Sequence, residues 1–397
     1  MGLLALQRLM SMQRDRHHHQ IQPHRDGLIA SLAKRKELTC LLEDKPLGGK
    51  KNETFRPCLV GVDLRGNGLK ALRLEIDDVA NISACYLNDW LHLAVKPGFE
   101  ELALLLHDDL DYNFPCSILL NGSANTIRDL RLSSCVFRPM AGFSCLRSLT
   151  SLELSEVYIT GDELGSLLSS SFALEELVLT YCKEITCLKI PCVLQRLSQL
   201  VVTDCENLEV IKSKAPNLTV FEYTGGVVEV SIGDAVLDIM ISASGWNVVH
   251  YARAKLPQMV PNLETLDITS SLAVTQQSVE HDSALGDSSH LRQMPEHCHG
   301  SIKDMKIIGF CSVKSMVELK VHILENAVSL ERLTLDIVCY DLRCSDGASK
   351  CSVGNINMIM EAHKALVVVR SYILEKVPST VELNVVEPCS QCHAVEN

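Results

Sequence analysis

Ten times along this chain an apolar side chain is followed by two more, three and five residues on, in the spacing Leu-x-x-Leu-x-Leu. The sets are Leu69-Leu72-Leu74, Phe99-Leu102-Leu104, Ile127-Leu130-Leu132, Leu149-Leu152-Leu154, Leu174-Leu177-Leu179, Leu197-Leu200-Val202, Leu218-Phe221-Tyr223, Leu263-Leu266-Ile268, Ile302-Met305-Ile307 and Leu330-Leu333-Leu335. The last two residues of each set lie two apart, so on a strand they face one side. The first enters the same core from the preceding turn. One such unit has too little apolar surface to fold alone, so its neighbours must stack on it.

Between positions 127 and 218 the units begin at 127, 149, 174, 197 and 218, in steps of 22, 25, 23 and 21 residues. That period is the length of a leucine-rich repeat, one strand plus a returning helix or irregular turn. The expected fold is therefore α/β: a leucine-rich-repeat solenoid with parallel strands on a concave sheet. Cys135, Cys182 and Cys205 recur three residues after the last core residue of their strands. The repeat consensus takes Asn or Cys there, bonded to the turn backbone. Elsewhere the steps lengthen to 30, 28, 45, 39 and 28 residues, so the repeat is irregular toward both ends.

Four segments follow. Residues 1–56 carry 11 Lys/Arg against 6 Asp/Glu, with His17, His18, His19 and His24, and two short amphipathic stretches at 3–12 and 28–42. They read as a basic, partly disordered leader. The solenoid spans 57–270. Residues 271–300 are rich in Ser, Gln, His and Asp and read as a polar loop. In 301–397, apolar residues at helical spacing predict helices over 312–327 and 357–377, the second ended by Pro378, with strands over 302–310, 330–338 and 381–386. Helix, strand, helix, strand makes a cap over the open end of the solenoid.

Apolar residues are 47% and charged residues 22% of the 397, as in a folded soluble domain. No run of 18 apolar residues predicts a membrane span, and no leader with a cleavage site is read at the start. The expected location is intracellular, in cytoplasm and/or nucleus. Seventeen cysteines are sparse for a disulfide scaffold of this length, and several sit in the repeat core, which favours reduced thiols. The net charge of −12 disfavours a nucleic-acid partner.

No zinc-protease, serine-hydrolase or phosphate-loop motif occurs, so no catalytic residue is expected. No cofactor is expected either. Cys389-x-x-Cys392-His393 matches a haem-attachment pattern and offers three zinc ligands, but a structural zinc site needs a second ligand pair, and Cys339-x4-Cys344 is a poor one. Binding remains. Positions between the core leucines point out of the sheet: Arg73, Glu75, Glu101, Asp129, Arg131, Glu153, Glu176, Thr180, Glu222, Asp267, Asp304, Lys306, Arg332 and Asp336. Nine are acidic and four basic, which predicts a mildly acidic face suited to a protein with exposed Lys or Arg.

Beyond the repeat itself, particular stretches resemble a known family. Cys311-Ser312-Val313-Lys314-Ser315-Met316-Val317-Glu318-Leu319, His322-Ile323-Leu324-Glu325-Asn326-Ala327 and Leu330-Glu331-Arg332-Leu333-Thr334-Leu335 are similar to the C-terminal FBD region of plant F-box/leucine-rich-repeat proteins. Arg343-Cys344-Ser345-Asp346, Ala362-His363-Lys364-Ala365 and Val377-Pro378-Ser379-Thr380-Val381-Glu382-Leu383 continue it, and Val386-Glu387-Pro388-Cys389-Ser390-Gln391-Cys392-His393 resembles the grass members. The resemblance implies the substrate-receptor role in a cullin-type ubiquitin ligase: an F-box docks on the adaptor and the repeats hold the target. Residues 1–56 contain neither the Leu-Pro opening pair nor the Ser-Arg-Arg-Trp-like close of an F-box. The expectation is thus the target-binding half, with an adaptor as partner only where an F-box lies upstream. A stand-alone repeat scaffold is the alternative.

Overall fold

The computed structural model describes residues 37–42, 58–65, 68–76, 84–107, 112–120, 124–140, 146–226, 228–232, 236–244, 262–271, 284, 300–337 and 356–388. The chain divides into two compact units, Met1–Leu200 with Asp204–Ala215, and Val201–Thr203 with Pro216–Asn397.

In the first unit β1 (Glu37–Leu42) runs antiparallel to β2 (Cys58–Arg65), and β2 antiparallel to β3 (Gly68–Ile76). β1 lies inside the segment read from sequence as an amphipathic part of the leader. From β3 onward the direction is constant: β4 (Glu101–Leu106), β5 (Asp129–Ser133), β6 (Ser151–Ser155) and β7 (Glu176–Thr180) are parallel, each paired with the one before. β8 (Cys187–Ile190) and β10 (Val210–Ser213) form a second parallel pair on the return side, and β9 (Gln199–Thr203) continues the repeat between them in sequence. Helices α1 (Ala84–Ala94) and α2 (Gly161–Leu168) fill two of the returns.

The predicted repeat explains the register. Leu72, Leu102, Leu130, Leu152 and Leu177 are partners along one row, and Leu74, Leu104, Leu132, Leu154 and Leu179 along the next. Phe99, Ile127, Leu149, Leu174 and Leu197, the first residues of their sets, are fully buried beneath them. Each such side chain contributes about 1.5–3 kcal/mol of burial. The backbone is stitched coil to coil. Glu100 N–H donates to Lys70 O, Arg128 and Asp129 to Glu100 O, Thr150 and Ser151 to Arg128 O, and Glu175 and Glu176 to Thr150 O.

A second device recurs where each strand ends. Ser134, Glu156, Tyr181 and Asp204 have φ of 48°, 56°, 52° and 48°. Each stands two residues after the last core residue of its strand and is left-handed. The kink turns the next side chain inward, so Cys135, Val157, Cys182 and Cys205 are buried. The Cys182 thiol lies 3.5 Å from Leu154 O and 3.6 Å from Thr180 O, the turn-backbone bonding expected of that consensus position. Helix α2 starts with a reciprocal cap. Thr160 Oγ1 accepts from Glu163 N–H at 3.3 Å, and the Glu163 carboxylate accepts from Thr160 N–H at 2.8 Å. A Cβ on Gly161 would stand 2.3 Å from Cys187 O, so glycine lets the first turn of α2 lie against β8.

The second unit holds β11 (Val220–Thr224), the short β12 (Glu229–Ser231), β13 (Asp238–Ser244), β14 (Thr265–Ser271), β15 (Asp304–Ile308), β16 (Arg332–Asp336) and β17 (Glu382–Val386). β11, β13, β14, β15, β16 and β17 pair in that order, all parallel. β13 carries a coil hidden inside the 45-residue step: Val236, Ile239 and Ile241 keep the spacing with branched residues and are all buried. Helix α3 (Lys314–Asn326) and helix α4 (Ile356–Val368) occupy the two predicted helical stretches. α4 runs on through one π turn (Val369–Ile373) and a 3-10 turn (Leu374–Lys376) before Pro378. The final strand is less covered: Leu383 and Val385 are only half-buried. No described helix is long and apolar enough to cross a membrane.

Candidate protein-binding face

Alternation sends every second residue of each parallel strand away from the leucine core. Register then aligns those residues into rows. In the first unit the row nearest the strand starts runs Ala71, Glu101, Asp129, Ser151, Glu176. The middle row runs Arg73, Ala103, Arg131, Glu153, Val178, and the third Glu75, Leu105, Ser133, Ser155, Thr180. Eight of the fourteen residues named from the sequence therefore share one sheet face, all exposed or half-buried.

Their charges are arranged rather than scattered. Arg131 lays its guanidinium along its own strand, with Nε 2.9 Å and Nη2 3.0 Å from the two Asp129 oxygens, and Nε 3.7 Å from Glu153. The Asp129 bonds keep Arg131 more firmly protonated than usual. Arg73 Nη2 lies 3.3 Å from Glu75, which His107 approaches at 3.7 Å on the other oxygen. Glu176 accepts from Ser151 Oγ at 3.2 Å. Both arginines are thus held by carboxylates of the same face, which fixes the two long side chains in place. Such exposed pairs add at most about 1 kcal/mol each to stability.

In the second unit the middle row is Glu222, Met240, Asp267, Lys306, Thr334 and Asn384. Asp304 and Arg332 are direct partners on neighbouring strands, and Arg332 bonds both Asp304 oxygens, Nη2 to Oδ2 at 2.9 Å. That hydrogen bond holds the Asp304 carboxyl below its usual range. Asp267 goes the other way: burial raises it, Lys306 opposes, and Asp238 and Asp304 add to the rise.

Asp336 departs from the expected pattern. It is fully buried, not part of the exposed face. It ends β16, and its carbonyl accepts the Gly309 and Phe310 N–H groups at 2.8 and 3.0 Å, which draws it under the turn leaving β15. Gly309, at φ 75°, makes that turn, and Phe310 and Cys311, which follow it, are buried as well.

Some outward positions escaped a reading keyed to charge. Ala103, Val178 and Met240 stand on the middle rows, and Met240 is 43% exposed. An ion cluster away from the strand face was also not anticipated. Arg138 Nη1 reaches Glu163 at 3.0 Å and Glu184 at 2.5 Å, and Nη2 reaches the other Glu184 oxygen at 2.8 Å. Burial raises the Glu163 carboxyl, but the Thr160 amide and hydroxyl and the Arg138 guanidinium outweigh it and hold it below its usual range. Only the Thr160-x-x-Glu163 half of this cluster had a sequence signal. Among the described residues no group of three or more His, Cys, Asp or Glu side chains is placed to hold a metal. Cys389, Cys392 and His393 lie outside the described residues.

Parallel strands at this period, stacked leucines beneath and ordered polar rows above define a leucine-rich-repeat protein. The model of the At1g61320/AtMIF1 LRR domain family matches residues 63–273 and 269–390, and the chain belongs to that family. No curated protein matches the chain.

Proposed function

We propose that the outward strand face binds a target protein, as the substrate-recognition part of an F-box/leucine-rich-repeat receptor of a cullin-type ubiquitin ligase does. The observation that carries this is the pair of aligned polar rows in the first unit. Glu101, Asp129, Glu153 and Glu176 stand on adjacent strands of one sheet, with Arg73 and Arg131 held among them. A rigid sheet that presents acidic side chains at fixed spacing favours a partner segment bearing Lys or Arg, and steers it from a distance. Such a receptor positions its target and breaks no bond itself. Its contribution to ubiquitin transfer is proximity.

The polar rows serve equally a second reading, in which the chain binds its target without ligase coupling. One experiment separates the two. The tagged chain is used as bait in plant extract, beside a variant carrying Glu101→Lys, Glu153→Lys and Glu176→Lys. Target-face binding predicts a co-purifying protein that the triple variant loses and that weakens as salt rises from about 0.05 to 0.5 M, as screening demands. A partner retained equally by both baits removes the acidic face from the reading. Adaptor and cullin in the wild-type eluate support the ligase role; their absence alongside a face-dependent target leaves the stand-alone scaffold.

A further inference from the structure

We infer that Cys182 and Cys205 are a peroxide-responsive site, at which a reversible disulfide ties two consecutive coils of the first unit together. Two observations carry it. The thiols occupy the same position in successive repeats, each directly after a left-handed residue, Tyr181 at φ 52° and Asp204 at φ 48°. They are also hydrogen-bonded to each other in the interior. Stacked parallel coils repeat at about 4.8 Å, inside the window of about 4.4–6.8 Å between Cα atoms that a disulfide spans.

The two sulfurs differ in chemistry. The hydrogen bond from Cys182 holds the Cys205 thiol below its ordinary value, against the opposing effect of burial. The same bond, with burial, raises Cys182 well above its own. Cys205 is therefore the more readily ionised thiol, and it is 5% exposed where Cys182 is sealed. The third thiol of this series is a built-in contrast. Cys135 faces Val157 in the next coil, is fully buried, and is pushed up to about 12 by burial.

The step balances with hydrogen peroxide as oxidant. Cys205 thiolate attacks the peroxide oxygen, the O–O bond breaks, and hydroxide leaves to become water, giving Cys205 sulfenic acid. Cys182 then attacks that sulfur, loses its proton to the departing hydroxide, and a second water leaves as the S–S bond forms. Two thiols and one peroxide become one disulfide and two waters. β7 carries Glu176 and Thr180 of the binding face, so the oxidised form pins that coil to its neighbour. A thiol reductant reverses the bond.

Peptide mapping of the full chain tests this. Tryptic cleavage after Arg147, Lys183, Arg196 and Lys212 leaves Cys182 and Cys205 on separate peptides, each with no other cysteine. The reduced protein is exposed to hydrogen peroxide, blocked with N-ethylmaleimide, digested and analysed by mass spectrometry. The expected result is joint loss of maleimide on both peptides, appearance of the linked pair, and recovery of both after dithiothreitol. In Cys182→Ser, Cys205 accumulates as a sulfenic acid that dimedone captures; in Cys205→Ser, Cys182 stays maleimide-labelled. Wild-type protein that keeps maleimide on both peptides while exposed Cys192 is oxidised overturns the proposal. So does linkage of either thiol mainly to a different cysteine.

Discussion

Lys320 sits in the middle of α3, fully buried, and its Nζ lies 5.1 Å from the centre of the Phe310 ring. Its Nζ has no hydrogen-bond partner among the described residues. A buried amine without a partner costs about 1–3 kcal/mol, so the residue weakens the unit that contains it. Burial holds it well below its ordinary value. Between that lowered value and about 10.4, the unfolded chain binds a proton that the folded chain does not. Stability therefore rises with pH across that window and is lost as pH falls through it. Lys320→Met keeps most of the apolar stem of the side chain while deleting the amine. It should raise stability by about 1–3 kcal/mol near neutral pH. Urea unfolding at a series of alkaline pH values should also show that the wild-type slope disappears. An unchanged midpoint would mean that Lys320 meets its needs in the folded chain. The sequence hides all of this: in 312–327 the apolar spacing marks one helical face, whereas residues 316–324 are buried all round, with Glu318, Lys320 and His322 among them.

At the scale of the element, the repeated strand end is the feature on which the coil depends. Four consecutive coils place Ser134, Glu156, Tyr181 and Asp204 in the left-handed region, where a Cβ meets the following carbonyl. A β-branched side chain is least tolerated there. Glu156→Val should therefore lower stability by about 1–2 kcal/mol, whereas Glu156→Gly should hold or raise it and Glu153→Val, on the strand itself, should be near neutral. Equilibrium urea unfolding compares the three, and equal losses from both valines would remove the conformational explanation. The leucine spacing announced β3 to β7 because their strand core positions are all leucines, and from β5 onward the step is nearly fixed as well. The coil of β13 was less visible because Val236, Ile239 and Ile241 keep the geometry with other residue types. β8 and β10 were missed for a different reason: four residues such as Cys187–Ile190 have too short an alternation to stand out from turn sequence. The outward rows follow directly from alternation. Asp336 breaks them because strand-end turns, not alternation, decide what covers the last residue of a strand.

For the whole molecule, stacking makes stability a matter of neighbours. In the first unit each parallel strand is bonded to the one before and the one after, and its leucines touch the same positions of those two. A repeat stack of this kind gains stability from within-coil terms and nearest-neighbour interfaces, not from one shared centre. Leu177 tests the point because it is fully buried on β7, between Leu152 of β6 and the coil that follows. Leu177→Ala should cost about 2–5 kcal/mol, the range for a large-to-small change in a packed core. The distribution of that loss carries more information than its size. Amide hydrogen exchange should show protection falling most at Ser151–Ser155 and Glu176–Thr180, and progressively less toward β3 and α1, because each coil passes only part of the loss to the next. Equal loss at every amide of the unit would instead mean that the first unit unfolds as one cooperative block. In that case the outward rows rest on a collective framework, and no single coil of the binding face opens by itself.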